Sequence, residues 1–408
     1  MQMFRSFRYR NFRLFFSGQS VSLIGTWMQR TAVSWLVYRL TESALLLGVV
    51  NFVSLIPILL LSPYAGSFID RHNKHKILIV TQILAMLQAG TMATLVYFKV
   101  YNITAIILLS LFLGIIKAFA VTSRQSLMVD LVDDREDLPN AIALNSTMTN
   151  FARIGGPALA GILISSFGED FCFLFNFFSF IAVLSTLFML KIKQQTNTNK
   201  ESIWIGLKEG YSYIKHDQKF AALIILIGVL SLFVIPFNTL MPVFAKTIFN
   251  GNATTFSWFE SAAGIGSVAS AIYIANLTNR KNIIKLMMAA GFLLGFAVLL
   301  LSYAPYLIAA LVFMILCGVG MMAVSSAINI YIQTNVHQHM RGRAISYFIM
   351  AYQGILPIGG LLVGVMAHEW GAQLTVAIEG IIGLIAITIF YFFRKNMIKK
   401  EQVQKATH

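Results

Sequence analysis

Charge is scarce in this chain: Asp, Glu, Lys and Arg make up only 12% of its 408 residues. A soluble domain carries about 25%, so half that share leaves too little polar surface to solvate a globule of this size. Cysteine is nearly absent. Cys172 and Cys317 fall in apolar stretches about a third of the chain apart, which argues against a disulfide framework and supports no metal site. Also missing are His-x-x-x-His, Cys-x-x-Cys, a phosphate-cradling glycine loop and, within the apolar runs, a buried carboxylate pair at helical spacing. A membrane-embedded enzyme would therefore lack its reactive groups. The surplus of 31 basic over 16 acidic residues is not a nucleic-acid footprint, because no basic run is interleaved with aromatics that could stack on bases.

What the chain has is apolar length. With 57% hydrophobic residues and mean hydropathy +0.74, the remaining solvent must be lipid. Runs of about 20 apolar residues, enough to cross a bilayer, recur at roughly 14–38, 44–65, 76–98, 103–124, 141–166, 172–190, 219–245, 256–275, 284–303, 306–330, 344–367 and 372–393. The first run is too long for a signal-peptide core and has no small-x-small cleavage site, so an uncleaved span is expected. These runs predict an all-α membrane protein with 12 transmembrane helices in two six-helix bundles. Residues 1–192 form the first bundle, 193–217 a cytoplasmic linker and 218–408 the second. A transport-dead receptor would need a further soluble domain, and this linker is the longest soluble segment.

Placing the N-terminus inside puts 25 of the 31 basic residues in inner segments, and only Arg39, Lys99 and Lys246 in outer ones. The positive-inside rule then makes both termini cytoplasmic. The halves also echo each other at an offset near 200: Arg153-Ile-Gly-Gly-Pro157 corresponds to Gln353-Gly-Ile-Leu-Pro357. A parallel repeat of this kind implies two bundles around a central cavity, with the substrate at the midplane.

The strongest local signal is Gly66-Ser-Phe-Ile-Asp70-Arg71-His-Asn-Lys74-His-Lys76, after the second span. It resembles the loop motif G-x-x-x-D-R-x-x-[RK]-x-[RK] of the major facilitator superfamily. Further stretches narrow the resemblance: Gly25-Thr-Trp27-Met-Gln-Arg30, Pro139-Asn-Ala-Ile-Ala-Leu-Asn145, Arg153-Ile-Gly-Gly156-Pro157-Ala-Leu-Ala-Gly161, Leu240-Met-Pro242 and Arg341-Gly-Arg343. Together they resemble the exporter branch that includes enterobactin exporters and macrolide-efflux proteins. The resemblance implies a bacterial inner-membrane exporter of small amphiphilic molecules. It would need no cofactor and draw on the proton gradient, and we expect it to be monomeric. An importer of an organic anion is the alternative.

The loop motif can also be read physically. Gly66 would let two helices approach closely. Asp70 would accept hydrogen bonds from a neighbouring helix N-terminus, and Arg71 would pair with Asp130, forming a gate on the inner side. Gly155, Gly156, Pro157 and Gly161 resemble an antiporter signature, suited to tight packing and a kinked helix. Charges inside spans cost at least ~2.5 kcal/mol each and should face a cavity or a partner. Arg30, Lys117 and Arg153 lie in the first half and favour an anionic substrate. Glu379 and Glu260, in the second half, are the only acids within spans and hence the candidates for proton coupling, since an acid in an apolar cavity can take up a proton near neutral pH.

Overall fold

The computed structural model describes residues 2–192, 217–277, 282–336 and 340–406, a few of their side chains, Asp70 and Arg341 included, excepted. The expected linker therefore lies largely outside the described residues. Helix boundaries follow local chemistry. Helix α1 (Arg10–Thr41) stops at Glu42 in the left-handed region, φ 50°. Helix α2 (Ala44–Arg71) is capped by the Ser43 hydroxyl accepting from Leu46 N–H. The Asn73 side chain caps α3 (Lys74–Tyr97), and Asn102 caps α4 (Ile103–Leu127). Helices α5 (Leu138–Phe167) and α6 (Glu169–Phe188) meet at Gly168, φ 101°, a value that favours glycine.

In the second half, α7 (Gln218–Phe233) gives way to a 3-10 segment at Ile235–Leu240 and a π turn at Phe244–Ile248. Helices α8 (Ala253–Ala275), α9 (Ile283–Ser302) and α10 (Leu307–Asn335) follow. Next come α11 (Arg341–Ile349), a π turn at Met350–Gly354, α12 (Leu356–Trp370) and α13 (Ala372–Ala406). Both interruptions adjoin proline, Pro236 and Pro357. Each lacks the N–H that would continue the ladder, so the expected seventh and eleventh spans are broken rather than continuous. The repeat is visible in the backbone: left-handed Glu42 and Asn250 sit after the first and seventh spans, and positive-φ Gly168 and Gly371 after the fifth and eleventh.

Among the described residues, nine helices are long and apolar enough to cross a membrane. Helices α1, α5 and α8 have the length but are not among the nine. These three carry much of the polar machinery described below.

Contacts divide the chain into two compact units that part within the expected linker, with one segment exchanged. The first is Met1–Lys200 with Pro242–Ser261, the second Glu201–Met241 with Ala262–His408. The expected boundary at 217/218 thus misses a segment of the second half that packs with the first, for the side-chain reasons given below. In the first unit α1 packs against α5 and α6, α2 against α4, and α3 against α4 and α6. In the second, α9 packs against α10 and α13, while α12 lies on the 3-10 segment. Here Gly359 lets backbone meet backbone, since a Cβ would come within 2.5 Å of the Leu232 carbonyl.

Buried amides brace the first unit. Asn176 Nδ2 donates to Gln29 Oε1 (2.6 Å), Gln29 Nε2 to Gln88 Oε1 (2.8 Å), and Gln88 Nε2 to the Leu109 carbonyl (3.3 Å). In hydrocarbon such groups have no water to fall back on. Gln29→Leu would orphan the Asn176 donor and the Gln88 acceptor, at about 1–3 kcal/mol each. The expected result is a marked fall in the melting temperature of the detergent-purified protein, against little change for the exposed control Ser185→Ala.

Candidate functional site

The three cations expected to face a substrate do come together. Trp27 on α1 is the organising surface: the Arg30 guanidinium lies 5.1 Å from its ring centroid, and that of Arg153, on α5, 6.0 Å. Lys117 on α4 is close enough to Arg30 for the two charges to interact. Among the described residues no carboxylate is within ion-pair distance of Arg30 or Lys117. The antiporter-like glycines explain the geometry. A Cβ on Gly156 would run into Trp27 Cβ and come within 3.1 Å of the Ile24 carbonyl. Its absence lets α5 touch α1, and Arg153, one turn earlier on the same face, reaches Trp27. Pro157 is buried beside it. Gly155 has no such role, since nothing lies within 4 Å of its Cβ position.

Gly161 marks a second crossing, where a Cβ would meet Ser257 at 2.6 Å. Here the 242–261 segment is held to the first unit. Thr254 Oγ1 donates to the Gly161 carbonyl (3.2 Å), Ser261 Oγ to the Ile154 carbonyl (3.3 Å), and Phe256 stacks on Trp35 (6.4 Å between centroids). Tyr38 Oη and Thr247 Oγ1 are hydrogen-bonded (2.7 Å), and Lys246 Nζ pairs with Glu42 (2.8 Å). The Lys246 hydrogen bond holds the exposed Glu42 carboxyl below the usual carboxylate range. A depressed value means that the pair stands at neutral pH and is lost only as pH falls through that lowered value. It is therefore no sensor of ordinary pH gradients.

Glu260 belongs to this latch. Thr31 Oγ1 donates to Glu260 Oε2 (2.6 Å), one residue from Arg30 along α1. The expectation that acids and bases occupy opposite halves is corrected here: Glu260 comes from the second half of the sequence yet packs in the unit that holds the cations. Glu379 departs from expectation differently. It is 1% exposed, and among the described residues neither carboxylate oxygen has a hydrogen-bond partner. Its helix is pressed onto α9, where a Cβ on the adjacent Gly380 would lie 2.6 Å from Leu299 N, so the acid is enclosed rather than set on an open wall.

The loop motif also needs correction. Asp130 pairs with Lys74 (2.6 Å), whose Nζ also donates to the Ser126 carbonyl (3.1 Å), while Arg71 is exposed. Lys74 opens α3 and faces the end of α4; Arg71 ends α2 and points away. Nothing lies within 4 Å of a Cβ at Gly66, so the close approach expected there is not made. The Asp70 side chain lies outside the described residues. An acid that motif reading passed over does more: Asp137, 1% exposed, takes Arg8 (2.7 Å), Arg5 (3.3 Å) and the Tyr9 hydroxyl (2.9 Å), docking the N-terminal segment onto the start of α5. A run of basic residues at the start and one acid in a loop were its only trace in the sequence.

Long apolar helices that keep their polar groups inward define the class: an integral, multi-pass membrane transporter. The chain belongs to the transmembrane secretion effector family of the major facilitator superfamily, whose family model matches residues 1–408. It is 27% identical over 398 residues to the staphyloferrin A transporter of Staphylococcus aureus (strain NCTC 8325 / PS 47), covering 97% of this chain and 99% of that one. It is 22% identical over 377 residues to macrolide efflux protein A of Streptococcus pyogenes, covering 90% and 92%. The fold matches the crystal structure of the nucleoside transporter NupG with a TM-score of 0.77 at 14% identity, over 95% of this chain and 99% of that one.

The ion pair on Asp130 separates the two readings of the loop. Lys74→Ala should destabilise the protein by somewhat less than the roughly 3–5 kcal/mol of breaking a fully buried pair. Arg71→Ala should leave the melting temperature nearly unchanged.

Proposed function

We propose that this chain exports a small amphiphilic anion, a siderophore or a drug-like natural product, in exchange for protons and by alternating access. The observation that carries this reading is the convergence of Arg30 and Arg153 on Trp27 with Lys117 near Arg30, and, among the described residues, no acid within ion-pair distance of Arg30 or Lys117. Cations held in spanning helices are costly and mark substrate pathways. An anionic guest offsets that cost, and the Trp27 face suits a flat apolar portion of the same molecule. The cargo named for one relative, staphyloferrin A, supports this reading, while the macrolides named for another match it only as drug-like natural products. We place the termini and the linker on the cytoplasmic side, which puts the 242–261 latch on the outer side.

Proton coupling is assigned to Glu260 and Glu379. An ionised carboxylate is the stronger hydrogen-bond acceptor, so a proton on Glu260 weakens its tie to Thr31 and loosens the latch. Arg30 is the next residue, so an anion drawn to its guanidinium acts on the same turn of α1. Glu379 sits in an enclosure that tolerates charge poorly, so gaining or losing a proton there changes how α13 fits against α9.

Two measurements test this reading. In a deletion strain complemented with variants, Arg30→Gln and Lys117→Gln should each lower secreted chelator or antibiotic tolerance about tenfold, the worth of roughly 1.4 kcal/mol, at unchanged membrane abundance; export at the wild-type rate would remove the anion site. In proteoliposomes, an imposed pH gradient should drive transport by the wild type, and Glu260→Gln and Glu379→Gln should each blunt that response. Transport indifferent to the gradient in the wild type would end the antiport assignment.

A further inference from the structure

The second unit holds a small cavity apart from all of this, formed where α7 and α9 begin and α10 and α13 end their apolar stretches. Its volume is about 130 Å³, and its walls include Lys219, Arg394, Tyr331, Ile284, Phe390 and Phe393. Ligand pockets for whole small molecules run from about 300 Å³ upward, so this one is too small for an exported amphiphile. It is not too small for a single anionic group.

Its chemistry is divided. Two basic side chains reach it from different helices, and the rest of the lining is apolar or aromatic. Its position is that of a membrane–water boundary: Tyr391, Phe392 and Phe393 are 42%, 56% and 39% exposed just before Arg394, in the manner of an interfacial aromatic belt.

We infer that this cavity binds the phosphate of an anionic phospholipid on the side of the membrane that holds the termini. The phosphate would lie between Lys219 and Arg394, with the glycerol and upper acyl chain against Phe390, Phe393 and Ile284. Basic pockets between helix ends select such headgroups. A free phosphate would satisfy the two charges but leave the apolar walls uncovered, so the lipid is the better match.

The full chain, purified and placed in nanodiscs, provides the test. Replacing a quarter of the phosphatidylcholine by phosphatidylglycerol should raise the melting temperature of the wild type, and native mass spectrometry should find phosphatidylglycerol retained. Lys219→Gln/Arg394→Gln should weaken that retention roughly 30-fold, at about fivefold per basic group, and abolish the thermal gain. The control Lys76→Gln/Lys191→Gln, with exposed basic residues of the first unit, should keep both. Equal retention by wild type and double variant would overturn the site. So would inorganic phosphate giving the full thermal gain in pure phosphatidylcholine. If the double variant does not fold, the wild type carries the test alone: the mass spectrum must show retained phosphatidylglycerol displaced by added cardiolipin and not by phosphatidylcholine, and displacement by phosphatidylcholine, or none by cardiolipin, would overturn the inference.

Discussion

The contact between Gly156 and Trp27 governs the rest of the site. Without a side chain at position 156, α5 comes close enough to α1 for the indole to fill the space between them. Arg153 and Arg30 then share that indole, and Lys117 comes in from α4. Three positive charges in one lipid-embedded unit repel each other and are expensive to desolvate. Arg30 is exposed while Lys117 and Arg153 are half-buried, so the cluster keeps one open side. The same glycine-rich stretch holds the second-half segment through Gly161, so the charge cluster and the latch rest on different sides of one helix.

That shared helix explains why sequence halves and contact units differ. The 242–261 segment follows a stretch in which proline has already broken the regular helix. The hydroxyls of Thr247, Thr254 and Ser261 and the Glu260 carboxylate are satisfied through Tyr38, Thr31 and the carbonyls of Ile154 and Gly161. Such ties are weak one by one. An arrangement held by several modest bonds can be undone and remade, which a transporter requires and a rigid interface would forbid.

Much of the architecture was legible in the chain, because lipid demands long apolar runs and helix ends demand particular caps. Ser43, Asn73 and Asn102 cap as their residue types suggest. The cation cluster was legible too, since charge inside a span is rare enough to be conspicuous. Three things were hidden. Lys74 and Arg71 are both plausible partners for Asp130 from spacing, and only the direction of each side chain decides between them. The Gln29, Gln88 and Asn176 network carries no charge, so three amides scattered over distant spans drew no notice. Glu260 could not be placed beside the cations, because its position depends on a fold-back across the midpoint of the chain.

The amide network has a polarity of its own. Ser179 donates to Asn176, Asn176 to Gln29, Gln29 to Gln88, and Gln88 ends on the carbonyl of Leu109. Every link points the same way, so no single amide can turn over without breaking the bond on each side of it. Helices α1, α3, α4 and α6 are thus tied by a one-way relay. Shifting any one of these helices against its neighbours would break a link in hydrocarbon, where no water replaces it, so the relay favours their moving together.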